Sequence, residues 1–173
     1  MAEPAPDPDP APIPFIDQDL ENDGFWPAVP VANFVNGYRV SLDYREELIR
    51  QVLIAAMLAS NKALRPAAEA AKAAGAADLA TYCEDNPDAT IGGDPLAQVL
   101  YLQAVYAHAK GATIKPLTNL QRRTTGEETA ANAADAHEAH WQDAHQAAIS
   151  GLLDIFIPTQ IHGTSHGVYA ALI

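Results

Sequence analysis

Apolar positions recur every three or four residues in three stretches of this chain, and each stretch reads as a helix. The clearest opens after Ser41, a plausible N-cap, with Asp43, Glu46 and Glu47 near the positive end of the helix dipole. Arg45, Leu48, Ile49, Val52, Leu53, Ala56, Met57, Ser60 and Leu64 follow the three-and-four spacing, which gathers most of them on one stripe. Pro66 predicts an end or a kink, because proline lacks an amide donor and clashes with the preceding turn. An alanine-rich continuation from Ala67 then runs to Gly75, a natural stop.

The second pattern starts with Asp94 as cap and Pro95 as first helical residue, and continues through Leu96, Val99, Leu100, Gln103, Ala104, Ala107 and Ala109. Tyr101, Leu102, Val105 and Tyr106 make it apolar on more than one side, which predicts a helix sandwiched between partners. Before it, Asp78 to Tyr82 adds a short turn, and CEDNPDATIGGDP reads as an irregular loop. After it, residues 111–126, GATIKPLTNLQRRTTG, read as a long connection. The third helix spans Glu127 to Leu153 with Trp141, Ile149, Leu152 and Leu153, and Pro158 closes the region.

Both ends of the chain break the helical pattern. Residues 1–14 hold six of the 13 prolines, which favours extended polyproline II and no core, so residues 1–20 are assigned to an arm. That arm is either a solvated leader or a strap on a neighbouring subunit. Asp23-Gly24 supplies a turn, and Phe25 and Trp26 set two large rings beside Pro27. These rings read as an anchor latching the arm onto the body, with a ligand-stacking pair as the other possibility. At the other end, residues 158–173 carry Val168, Tyr169, Leu172 and Ile173 in a tail too short to form a layer. Leaving them in water forgoes roughly 25 cal/mol per Å² of apolar area, so they dock on their own domain or on another chain. The body is then residues 21–157, and the fold class is all-α, a small helical bundle with two extended arms.

Composition agrees with that class and narrows the chemistry. Of 173 residues, 35 are alanine and 49% are hydrophobic, enough for a helical core. The net charge is -12, and residues 1–24 carry seven acidic side chains with no Lys or Arg. A chain this poor in clustered cations lacks the usual electrostatic grip on nucleic acid. The single cysteine, Cys83, forms no intrachain disulfide, and no run approaches the 18 or more apolar residues of a membrane span, so a soluble, unsecreted protein is expected.

Catalytic signatures are missing: there is no GxSxG, Walker A loop, GxGxxG or Cys/His nucleophile pair. Five of six histidines, His137, His140, His145, His162 and His166, follow residue 136. HEAHW falls one residue short of HExxH because Trp141 stands where the second ligand belongs, and no Glu-x-x-His pair of the di-iron kind is present. A metal-binding helical enzyme or sensor using these histidines is the competing reading; neither a metal nor another cofactor is expected in the main one. Lys115, Arg122 and Arg123, with Lys110, make the one basic spot. It is either a solvated surface loop or, in a ring of subunits, a collar of positive charge.

The segment NDGFWPAVPVANFVNGYRVSLDYREELIRQVLIAAMLASNKAL, residues 22–64, resembles the opening of the phage head completion protein (GPL) family. The matching elements are the NDGFWP-type motif, Arg39-Val40, Ala56-Met57 and the Asn61 to Leu64 pattern. IGGDPLAQVLYLQAVYAHAKGAT, residues 91–113, is similar to the helix after that family's central loop, and TTGEE at 124–128 matches in placement. The resemblance implies a non-enzymatic adaptor in the virion, assembled in the host cytoplasm, that binds the portal protein and the next connector or tail-completion protein. It further implies a homo-oligomeric ring of about 12 copies, with DNA passing through its lumen. In that setting Val168, Tyr169, Leu172 and Ile173 are portal contacts, and the loop from Lys115 to Arg123 faces the lumen or the tail side.

Overall fold

A computed structural model describes residues 17–40, 46–87, 89–125 and 128–158, with side chains described outside 115–136. The described chain is helical almost throughout: α1 (Val31–Gly37), α2 (Glu46–Ala63), α3 (Arg65–Ala73), α4 (Leu79–Asp85), α5 (Leu96–Thr125) and α6 (Glu128–Phe156). Two short antiparallel pairs complete it: β1 (Asp19–Leu20) with β2 (Val29–Pro30), and β3 (Thr90–Ile91) with β4 (Asp94–Pro95).

The stripe expected on α2 is the one buried: Ile49, Leu53, Ala56, Met57 and Ser60 face inward. The helix ends at Ala63, Leu64 leaves helical geometry, and α3 begins with Pro66 in its first turn, where a missing amide costs nothing. Gly75 closes α3 at φ +103°. The amide of Ala76 donates to the Ala71 carbonyl at 3.1 Å and that of Gly75 to Lys72 at 3.0 Å, which satisfies the last carbonyls of the helix. The proposed Ser41 cap falls in residues 41–45, outside the described residues.

α5 is the axis of the body. It packs against α6 along one side and α2 along another, which is why its apolar positions run nearly all round: Tyr101, Ala104, Val105, Tyr106, Ala107 and Ala109 are all buried. Leu100 lies against Gly151, His108 beside His145 and Gly111 against Trp141, so α5 and α6 run antiparallel. A helix of 30 residues extends about 45 Å, and α6 of 29 residues matches it.

Two expectations need correction. First, α5 does not stop near Gly111. It continues to Thr125, so Lys115, Arg122 and Arg123 stand on a helix and not on a loop. Pro116 removes one helical amide, and pairing with α6 in a long hairpin outweighs that local cost. Second, the loop before α5 holds a β-hairpin whose tip, Gly92-Gly93, has φ +64° and +97°. Such a tip needs positive φ at both residues, which glycine tolerates without strain. The hairpin takes up Asp94 and Pro95, so α5 starts at Leu96, whose amide donates to the Ala89 carbonyl at 2.8 Å. A helix not expected from the sequence, α1, follows Pro30 and buries Val31, Phe34 and Val35. Among the described residues no helix is long and apolar enough to cross a membrane.

Candidate functional site

The NDGFW segment is built into the body by its own side chains. Asp23 Oδ1 accepts the amides of Phe25 (3.1 Å) and Trp26 (3.2 Å), which folds the chain back on itself directly after the turn. Both rings are thereby driven inward, each only 3% exposed. Trp26 stacks on Tyr101 of α5 at 4.7 Å with planes 4° apart, and meets Phe156 at the end of α6 edge-on at 6.2 Å. Phe25 stands edge-on to Trp26 at 4.9 Å, with Lys72 Nζ 5.2 Å above its ring.

A closed polar ring lies beside this stack. Asn22 Nδ2 donates to the Tyr101 hydroxyl (2.6 Å), the hydroxyl donates to Asn61 Oδ1 (2.7 Å), and Asn61 Nδ2 donates back to Asn22 Oδ1 (2.8 Å). Every member donates and accepts once within the ring, so the desolvation cost of three polar groups is met internally. Burial pushes the Tyr101 hydroxyl above the ordinary tyrosine range and keeps it a donor. Asn61 also reaches Asp23 Oδ2 at 3.2 Å. Two further bonds hold the same segment: the Leu79 amide donates to the Phe25 carbonyl (2.9 Å), and the Tyr106 hydroxyl donates to the Pro30 carbonyl (2.8 Å). Residues 17–30 are thus fastened to α2, α4, α5 and α6 at once. The sequence reading singled out the two rings but not Asn22, Asn61 and Tyr101 as a unit.

The histidines are placed differently from one another. His137 and His140 are exposed on α6, while His145 is buried, its Nδ1 2.9 Å from the Ala104 carbonyl. A carbonyl only accepts, so Nδ1 carries the proton. His108 of α5 meets His145 edge-on at 5.0 Å, and its own Nδ1 is buried without a partner. Both line a cleft of about 420 Å³ with Gln142, Asp143 and Gln146. Among the described residues no three His, Cys, Asp or Glu side chains converge as metal ligands. His162 and His166 lie outside the described residues.

Burial, and secondarily His145, holds His108 below the ordinary imidazole range of 6.5. The proton therefore binds the unfolded chain more readily, so this contribution to stability is complete above pH 6.5 and declines as pH falls below it. Melting temperatures followed from pH 8 to pH 5 are expected to drop on the acid side, and His108→Gln is expected to flatten that slope. An unchanged slope in the variant rules His108 out as its source.

Of the other residues selected from the sequence, Lys115, Arg122 and Arg123 sit on the far half of α5, with side chains outside the description, and Val168, Tyr169, Leu172 and Ile173 lie outside the described residues. No curated protein and no solved structure gives a significant match to the chain. A family profile does: that of the phage head completion protein (GPL) matches residues 20–155. The match takes in the anchored segment from Leu20 onward, α1 to α5 and nearly all of α6. It ends before the apolar tail. With most of its length matched, the chain belongs to the phage head completion protein (GPL) family and is a structural component of phage head assembly.

Proposed function

We propose that this protein is the adaptor between the DNA-filled head and the tail. About a dozen copies form a ring below the portal protein, and the opposite face receives the next connector or tail-completion protein. Val168, Tyr169, Leu172 and Ile173 contact the portal, since apolar side chains at the end of a short tail gain most by entering another protein's surface. Family membership over residues 20–155 is the observation that carries this reading. The far half of α5, with Lys115, Arg122 and Arg123, is the candidate for the lumen or the tail-side face. Phe25 and Trp26 anchor the proline-rich arm, and the arm contacts a neighbouring copy. Assembly takes place in the host cytoplasm and needs no membrane.

The charge fits passage of DNA. A subunit of net charge -12, repeated around a channel, repels phosphates and offers DNA no adhesive wall wherever its acidic residues line that channel. Electron cryo-microscopy of the tail-bearing vertex tests the proposal. The expected map shows several symmetry-related copies of this fold seated on the portal; one copy, or a location away from the portal, contradicts it.

A further inference from the structure

Among the described residues, the exposed large hydrophobic side chains are Ile54, Leu58, Ile91 and Ile157. They form two patches of opposite charge. On α2, Arg50, Ile54, Leu58 and Lys62 follow one another at intervals of four, which aligns them on the outer face of the helix. All four are exposed, Leu58 to 67%, and neither Arg50 nor Lys62 makes an ion pair among the described residues. Glu46 continues the same row one turn before Arg50, with Glu47 beside it, so the cations that border the apolar pair directly are Arg50 and Lys62.

The second patch is the β3–β4 hairpin, where Ile91 is 56% exposed. It is flanked by the exposed carboxylate of Asp94, its partner across the hairpin, with the exposed Asp85 at the hairpin base. No Lys or Arg occurs between Lys72 and Lys110, so neither α4 nor the hairpin carries a cation. Asp85 lines one depression with Ala89, Ala97 and Ile155, which brings the end of α6, where Ile157 is exposed, to the base of the same hairpin.

We propose that these patches are the two halves of one head-to-tail contact, in which the α2 stripe of one copy receives the hairpin patch of the next. This inference rests on the ring reading above and assigns its contact faces. A ring needs two different surfaces that complement each other. An apolar centre with cations at its ends against an apolar centre rimmed by carboxylates meets that need. Pairing two α2 stripes symmetrically instead sets cation against cation. Complementary charge gives such a contact its register and its choice of partner.

A charge swap in the full-length chain tests it, read as the number of copies held at the vertex by native mass spectrometry of the connector complex released from particles. Arg50→Glu with Lys62→Glu is expected to lower ring-bearing particles about tenfold or more, because like charges then meet at every contact. Adding Asp85→Lys and Asp94→Lys to the same chain is expected to restore them to within about threefold of the parent. All four positions are exposed, so the variants are expected to melt with the parent, which circular dichroism checks. The assignment of faces is overturned if the first pair leaves copy number unchanged, including the case where only tail joining suffers, or if folded chains carrying the full swap fail to recover. A single copy per vertex in the parent overturns the ring reading itself, and this inference with it.

Discussion

Replacing Trp26 with alanine is expected to lower the stability of the body by about 3–5 kcal/mol, the range for truncating a buried large aromatic. Trp26 is 3% exposed and touches three rings that belong to different parts of the chain: Phe25 beside it, Tyr101 on α5 and Phe156 on α6. Its removal leaves a cavity where the N-terminal segment crosses the helical body, and strips Tyr101 of the face against which its hydroxyl is positioned. Small domains are stable by only about 5–15 kcal/mol, so the loss is a large share of the whole. The melting temperature is expected to fall on the order of 10 °C. Trp26→Phe, which keeps an aromatic face for stacking, is expected to lose less, and Leu58→Ala, on an exposed helix face, almost nothing. If Trp26→Ala melts with the parent protein, the segment is not held in the way described.

The parts of this fold that the sequence made legible are those decided locally. The α2 stripe, the break at Pro66 and the stop at Gly75 each follow from spacing or from the backbone chemistry of one residue. The parts it hid are those decided across the chain. α1 is seven residues long, too few to show a period, and it is set by the packing of Phe34 on Tyr106 at 5.8 Å. The hairpin has strands of two residues, which leaves no alternation to read, although Gly92-Gly93 marked its turn. Gly111, Thr113 and Pro116 all argue locally for a loop, yet α5 stays helical through them, packed on α6 where Gly111 meets Trp141. At the anchored segment, Phe25 and Trp26 stood out as large rings beside a turn. The Asn22–Asn61–Tyr101 ring did not, because its members are 39, 40 and 79 residues apart.

Deleting residues 164–173 is expected to abolish attachment to the head while leaving the body folded. The deletion removes Val168, Tyr169, Leu172 and Ile173, the four positions assigned to the portal. Among the described residues the buried members of the core run from Leu20 to Leu152, all outside the deleted stretch. Helical content and melting temperature are therefore expected to stay with the full-length protein. A loss confined to attachment separates a docking tail from a tail that completes the subunit's own core, since the latter lowers the melting temperature as well. Deleting residues 1–20 takes away the proline-rich arm together with Leu20, which is buried and pairs with Val29, and is expected to weaken the ring more than the attachment.

The direct measurement is co-sedimentation of purified full-length and tail-deleted protein with filled, tail-less heads that carry the portal. The full-length protein is expected to pellet with the heads, and the equally well-folded deletion variant to remain in the supernatant. Equal binding by the two proteins contradicts the assignment of the C-terminal residues to the portal.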